Sequence, residues 1–214
     1  MGFSTPFHGN CTAVQLSGFL NFFFNLHMDI QLLNLALLLA YTTIIAALIW
    51  ARFKHFKVDT AKAKRTSLLY DPVVTLHIGC TAYLLISSSS VTPLGFASAI
   101  TAYLASAAIF FSCLPISKNF DFANSGKSNE IVTSGPYGVV RHPFYTSYII
   151  LWTSNTILFN SLILWITLIY LLVFYFHSAS EEEKTILQGR CSREYELYRL
   201  NVGMFLPRIT RWKS

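Results

Sequence analysis

Charged side chains are scarce in this sequence. Only 12% of its 214 residues are Asp, Glu, Lys or Arg, whereas a soluble domain carries about 25%. The mean hydropathy is correspondingly high, at +0.47. Such a deficit of charge excludes an ordinary soluble domain and indicates a chain that is largely surrounded by lipid.

Metal-binding and disulfide patterns are also missing. The four cysteines form no C-x-x-C pair and no other spacing typical of metal ligands. The first residues lack a basic stretch followed by an apolar run, so we expect no cleavable signal peptide. Without internal repeats, residues 1–214 are expected to form a single membrane domain that binds no metal.

The apolar residues come in blocks, and a block of roughly 18 uncharged residues can cross a bilayer. They predict an all-α integral membrane protein with about five transmembrane helices. The blocks are residues 30–50, 68–87, 94–114, 144–159 and 162–177. The last two, separated by Asn160 and Ser161, are short enough for a tight helical hairpin in a locally thinned membrane.

These blocks divide the chain into five segments. We expect an N-terminal interfacial segment, three spans, a cytosolic loop, the helical hairpin and a cytosolic C-terminal segment. Their predicted bounds are 1–29, 30–114, 115–143, 144–177 and 178–214. A Phe-rich stretch at 14–26 is shorter than a full span, so we expect it to be interfacial, with a sixth span as the alternative.

The basic residues support this topology. Six of the 16 Lys and Arg lie between the first two spans, three between the third and fourth, and seven after the fifth. With five spans, all 16 fall on one side of the membrane, and the positive-inside rule makes that side cytosolic. The net charge of +6 therefore reflects topology, and we expect no nucleic-acid partner.

A turn-rich polar motif, residues 133–145, precedes the fourth span. Pro143 suits the first position of a helix, which places His142 near the N-cap. Unpaired backbone N–H groups and the helix dipole favour an anion there, and Arg141 adds a cation. The alternative is structural: Arg141 contacts lipid headgroups, and Tyr137 and Tyr145 belong to an aromatic belt.

An acidic run, Glu181 to Glu183, follows the fifth span. Three acids at the C-terminal end of a helix oppose its dipole and repel one another, which suggests a cationic partner such as Arg141. The alternative is a solvated acidic surface. Residues 181–198 otherwise have the pattern of an amphipathic helix, on which Tyr195 and Tyr198 share a face.

The hairpin turn must bring these two motifs together, because it makes the last two spans antiparallel neighbours. The sequence therefore predicts a pocket at the membrane–cytosol boundary that contains Arg141, His142, tyrosines and a glutamate. His177 could border it, whereas His77 shows no spacing typical of ligands.

The combined pattern resembles the isoprenylcysteine carboxyl methyltransferases, within a wider group that includes phospholipid methyltransferases. The similar parts are G-P-Y-x-x-x-R-H-P-x-Y at 135–145, the hairpin, the acidic run, and Y-x-x-Y-x-x-x-V-G-x-x-L-P at 195–207. The resemblance covers residues 127–209, some 40% of the chain.

The resemblance implies a pocket for S-adenosylmethionine on the cytosolic face. Its implied catalytic residues are Arg141, His142 and Glu183, although Glu182 could take the place of Glu183. The implied cofactor contacts are Asn129, Glu130, Ile131, Val132, Tyr137, His142, Pro143, Phe144, Tyr145 and Glu183. The chain departs from the family pattern at Ser147 (usually Gly), Ala179 (an Arg that holds substrate), Lys184 (often Glu) and Cys191-Ser192 (usually Phe-Gly).

The resemblance implies methylation of the C-terminal carboxylate of prenylated cysteine on proteins, with the lipid bilayer and a prenylated protein as partners. It also implies residence in the endoplasmic reticulum. Two alternatives stay open: a phospholipid N-methyltransferase and a family member without catalytic activity, the latter suggested by Ala179.

Overall fold

The computed structural model describes residues 31–51, 54, 61–87, 91–117 and 131–208. Six helices make up most of these residues, which confirms an all-α integral membrane protein. They are α1 (Gln31–Ala51), α2 (Ala61–Ser87), α3 (Pro93–Ser117), α4 (Pro143–Phe159), α5 (Leu162–Leu187) and α6 (Ser192–Asn201). A 3-10 turn, Gly135–Gly138, precedes α4. The 14–26 stretch lies outside the described residues.

Four of the described helices are long and apolar enough to cross a membrane: α1, α2 from Leu68, α3 and α5. The remaining predicted span, the fourth, corresponds to α4, which has 17 residues and is therefore about 26 Å long. Since α4 packs along both α3 and α5, it lies within the same bundle despite its shorter length.

Two helix boundaries differ from the bounds of the predicted segments. Helix α5 ends at Leu187 instead of residue 177, so the segment expected to start at 178 begins inside a helix. The single helix expected over 181–198 is instead the end of α5 and a separate α6, joined by a turn at 188–191. The acidic run continues α5 because Glu183 is buried against a long-range partner, which a local pattern does not show.

The hairpin between α4 and α5 is present as expected. Asn160 adopts a left-handed conformation with φ 46° and caps α4 through its N–H, which donates to the Thr156 carbonyl. Asparagine tolerates this conformation better than most residues. The Asn160 side chain also accepts a hydrogen bond from the Trp165 indole at 2.9 Å, so the turn is fixed on both sides.

Helices α3 and α4 run antiparallel to each other, as do α2 and α5. On the α3–α4 seam, the Ser106 hydroxyl donates to the Ser147 carbonyl at 2.8 Å, and Phe110 contacts Phe144 with ring centroids 5.5 Å apart. Large apolar side chains on the outer faces of α1, α2, α3 and α5 are exposed, as expected of surfaces that face lipid. The packing brings residues 131–142 and 181–208 to one end of the bundle, named here the C-terminal end.

Candidate active site

His142 is the N-cap of α4, and Pro143 follows it at the first helical position. This arrangement is the one that the sequence predicts, because proline lacks the N–H that a first helical turn leaves unpaired. The His142 imidazole makes no hydrogen bond to the start of its own helix. It is therefore available to groups from other elements.

Backbone hydrogen bonds fix the chain before α4 to the chain after α6. Val140 and Gly203 form an isolated parallel β-bridge. The Arg141 N–H donates to the Gly203 carbonyl at 2.8 Å, and the His142 N–H donates to the Met204 carbonyl at 3.1 Å. This two-segment clamp, residues 140–142 with 203–204, holds the R-H-P motif against the end of the chain.

A buried charge cluster joins the R-H-P motif to the acidic end of α5. Arg141 Nε donates to Glu183 Oε1 at 2.8 Å, and Nη2 donates to Oε2 at 3.3 Å. His142 Nε2 lies 3.0 Å from the same Oε1. The side chains of Arg141 and Glu183 are only 10% and 8% exposed. The two predicted motifs therefore meet in direct contact.

The Arg141 guanidinium makes four hydrogen bonds with the protein. Besides Glu183, its Nη1 donates to the Val202 carbonyl at 2.5 Å and to the Arg199 carbonyl at 3.2 Å. All three nitrogens thus have acceptors on α5, on α6 or directly after it. Arg141 therefore positions these segments, with four of its five N–H groups used in doing so.

His142 lies between two carboxylates. Nε2 contacts Glu183, and Nδ1 lies 3.5 Å from Glu182 Oε2. Burial alone lowers the pKa of His142, but the hydrogen bonds and negative charges of the two glutamates outweigh it, so the pKa is raised above its ordinary value. The two carboxylates therefore stabilise the imidazolium form, which donates from both nitrogens.

Glu182 lies beside aromatic side chains and is open to solvent. Tyr145 donates its hydroxyl to Glu182 Oε1 at 2.5 Å, and the Glu182 side chain is 44% exposed. The rings of His142 and Tyr145 are stacked with centroids 5.8 Å apart, and Phe205 lies 6.0 Å from His142 and 6.4 Å from Tyr145. An accessible carboxylate beside aromatic faces is a surface suited to a cation.

Three tyrosines close the other side of the cluster. The Tyr198 hydroxyl donates to the Tyr137 carbonyl at 2.5 Å, and the rings of Tyr195 and Tyr198 lie 5.7 Å apart on one face of α6, as expected. Burial raises the pKa of each of the three phenols. They stay neutral at physiological pH and serve as hydrogen-bonding and packing groups.

The other cofactor contacts that the resemblance implies differ in their burial and in their distance from the charge cluster. Ile131 and Val132 are half-buried beside the 3-10 turn, whereas Asn129 and Glu130 lie outside the described residues. Pro143 is buried at the start of α4. The Phe144 ring packs in an apolar cluster with Phe110 and α1, so its side chain points away from the charge cluster. His177 is exposed.

Two departures from the family pattern are fully buried. The Ser147 hydroxyl donates to the Phe144 carbonyl at 2.7 Å within α4. Ala179 lies one helical turn from both Tyr175 and Glu183 on the buried face of α5. Lys184 is exposed and pairs with Glu181 at 2.7 Å. Of these positions, Ala179 is the one that adjoins the candidate site.

Sequence reasoning overlooked Phe205 and the carbonyls of Gly203 and Met204. The motif V-G-x-x-L-P contains the first of these carbonyls, but no local signal shows that it accepts from Arg141. Gly203 is required there because a Cβ would overlap with the carbonyl oxygen of Leu206.

Comparison with known proteins identifies a family match in this part of the chain. A model of the isoprenylcysteine carboxyl methyltransferase family matches residues 119–188, about a third of the chain, which includes Arg141, His142 and the acidic end of α5. No curated protein and no solved structure matches the chain. The match supports a methyltransferase of the isoprenylcysteine carboxyl methyltransferase kind. Residues 119–188 therefore match the isoprenylcysteine carboxyl methyltransferase family, which confirms the resemblance predicted from the sequence.

Proposed function

We propose that this protein uses S-adenosylmethionine to methylate the C-terminal carboxylate of prenylated cysteine on proteins. The observation that carries the proposal is the cluster of Arg141, His142, Glu182 and Glu183, which lies within the matched family domain. It lies where α4 begins and α5 ends, so a polar ligand from water and an apolar chain from lipid can reach it together.

The donor set fits S-adenosylmethionine. The cofactor carries an ammonium and a sulfonium, and the half-exposed Glu182 carboxylate beside the rings of His142, Tyr145 and Phe205 suits such cations. When bound, the cofactor supplies an electrophilic methyl group on its sulfonium. Tyr137 and the half-buried Ile131 and Val132 border the same end of the bundle and would complete its surroundings.

The two glutamates differ in what they can do. Glu183 accepts hydrogen bonds from Arg141 and His142 and is nearly inaccessible, so it holds these residues in place. Glu182 is open to solvent and accepts from Tyr145. We therefore assign cofactor contact to Glu182 and a positioning role to Glu183, which reverses the preference that the resemblance implies.

The surroundings of His142 favour a carboxylate nucleophile. A carboxylate is ionised at neutral pH and needs no base, whereas a phospholipid ammonium must first lose a proton. His142 is held as a hydrogen-bond donor between Glu182 and Glu183, so it is poorly placed to accept that proton. The two glutamates are much weaker bases than the amine that they would have to deprotonate. The described site therefore suits carboxylate methylation better than amine methylation. The protein aligns the reactants and removes water from the nucleophile.

The surroundings of the site suit a lipid-modified substrate. Exposed apolar side chains cover α5 on the approach to the cluster, among them Val173 and Phe176. A prenyl chain could lie against such a surface while its carboxylate reaches the cluster. We propose that the cluster faces the cytosol at the endoplasmic reticulum, where methylation would remove a negative charge next to an anionic leaflet.

The test is transfer of a labelled methyl group by purified protein in detergent or nanodiscs. Three acceptors are compared: N-acetyl-farnesylcysteine, the same compound with an amide in place of the carboxylate, and phosphatidylethanolamine. We expect a base-labile ester on the first acceptor alone. Labelling of phosphatidylethanolamine instead would support the amine methyltransferase, and no transfer to any acceptor, without cofactor binding, would support a non-catalytic protein.

A further inference from the structure

The centre of the bundle contains polar side chains that the proposed methyl transfer does not use. Tyr41 of α1, His77 and Thr81 of α2 and Asn155 of α4 are at most 1% exposed. Each has a buried polar atom that forms no hydrogen bond: Tyr41 Oη, His77 Nε2, Thr81 Oγ1 and Asn155 Nδ2. Buried polar atoms in native proteins are nearly always paired with protein or ordered water, and in lipid an unpaired one costs several kcal/mol.

These atoms lie along one seam between α1, α2, α3 and α4. Tyr41 and Thr81 are close enough to interact, although without normal hydrogen-bond geometry. The rings of Tyr41 and Tyr103 are 6.0 Å apart, and Tyr103 donates to Asn155 Oδ1 at 2.5 Å. Thr81 thus adjoins Tyr41, and Tyr41 is connected to Asn155 through Tyr103.

His77 continues the seam by one helical turn. It lies four residues before Thr81, a rise of about 6 Å on the same face of α2. Its ring makes an edge contact with Trp152, with centroids 5.2 Å apart, and Trp152 lies three residues before Asn155 on α4. The Trp152 backbone also lies beside the imidazole, but Nε2 makes no hydrogen bond of normal geometry.

The hydrogen-bond pattern limits which ligand this seam can take. The Thr167 proton has two backbone acceptors, the Ile163 carbonyl at 2.9 Å and the Leu164 carbonyl at 3.1 Å. When it is donated to either carbonyl, the hydroxyl accepts from His77 Nδ1, 2.8 Å away. A neutral imidazole that donates from Nδ1 presents Nε2 as an acceptor. Asn155 Nδ2 can only donate, and the two hydroxyls can do both.

We propose that Tyr41, His77, Thr81 and Asn155 form an intramembrane binding site for a neutral hydroxylic ligand. An O–H group can accept from Asn155 and donate to His77, which neither a simple cation nor an anion can do. None of these four side chains is a carboxylate, a guanidinium or an ammonium, so a charged ligand would have no counter-ion among them. Bound water and the hydroxyl of a membrane lipid share this chemistry, and water needs only two to four polar partners.

The sign of a stability change tests the site. Thr81→Val removes the hydroxyl and keeps the shape of the side chain. If the hydroxyl binds a ligand, the variant should lose about 2–4 °C in apparent melting temperature. If the hydroxyl is merely unpaired, its removal should leave the temperature unchanged or raise it. The matched control is Thr101→Val, where an exposed hydroxyl bonds only to the Ala97 carbonyl of its own helix.

Two measurements on the full-length wild-type protein distinguish water from lipid as the source of the hydroxyl group. X-ray radiolytic labelling oxidises buried rings that adjoin bound water, so we expect oxidation of Tyr41 but not of Phe110, which is equally buried in an apolar cluster. A hydroxylic lipid seen by native mass spectrometry, and lost in Thr81→Val, would identify lipid as the source. The proposal is overturned if Thr81→Val is no less stable than Thr101→Val, or if neither labelling nor bound lipid is found.

Discussion

Replacing Glu183 with Gln should weaken the whole C-terminal end of the bundle. The change keeps the volume of the side chain but removes a charge that accepts hydrogen bonds from Arg141 Nε, Arg141 Nη2 and His142 Nε2 at 2.8, 3.3 and 3.0 Å. An amide N–H would also face a guanidinium N–H. Arg141, and His142 in its protonated form, would then lie buried without this counter-ion.

The expected magnitude follows from the burial of the pair. Removing one partner of a buried ion pair costs about 3–5 kcal/mol. Since Gln keeps one acceptor and Glu182 still faces His142, we expect about 3 kcal/mol for Glu183→Gln. For a chain of this size each kcal/mol shifts the melting temperature by about 2–4 °C. The expected loss is therefore about 6–12 °C.

Glu181→Gln provides a matched control two residues away. Glu181 pairs with Lys184 at 2.7 Å, but these side chains are 38% and 67% exposed, and an exposed pair contributes about 0–1 kcal/mol. Both variants would be melted in the same detergent while tryptophan fluorescence is recorded. Equal shifts for the two variants would contradict the buried cluster described here.

Two further predictions concern pH and the backbone clamp. Because the folded-state pKa of His142 is raised, the stability that this residue contributes is complete below its unfolded pKa of about 6.5 and is lost as pH rises through the folded pKa. His142→Gln should therefore reduce the fall in melting temperature across that pH range. An unchanged slope of melting temperature against pH would argue against the raised pKa. Gly203→Ala should lower both the melting temperature and the rate of methyl transfer, because the added Cβ would overlap with the Leu206 carbonyl. The control is Gly79→Ala in α2, where a Cβ meets nothing within 4 Å. This change should be neutral or stabilising by up to about 1 kcal/mol.

Local sequence rules predicted the parts of the site that depend on neighbouring residues. Pro143 after His142 predicted the N-cap, and Asn160-Ser161 predicted the hairpin, which together require the two motifs to meet. The pairing of Glu183 with Arg141, and of Arg141 with the Val202 carbonyl, joins residues about 40 to 60 positions apart. No periodicity encodes such pairs, so the sequence left open which glutamate faces the ligand.

The intramembrane polar seam was overlooked for a different reason. Hydropathy averages over a window, so single polar residues such as His77 and Asn155 disappear among apolar neighbours. His77 and Thr81 are four residues apart, which places them on one face of α2, but their partners lie on other helices. The missing information was which face of each span points into the bundle.

The most direct test of the proposed site is single-turnover transfer of a labelled methyl group from S-adenosylmethionine to N-acetyl-farnesylcysteine by wild type, Glu182→Gln and Glu181→Gln. We expect wild type and Glu181→Gln to form the base-labile ester at similar rates. Glu182→Gln should need at least tenfold more S-adenosylmethionine, since about 1.4 kcal/mol corresponds to a factor of ten. Transfer by Glu182→Gln at the wild-type rate and cofactor requirement would contradict the proposed site, and an absence of transfer by wild type would contradict the proposed reaction.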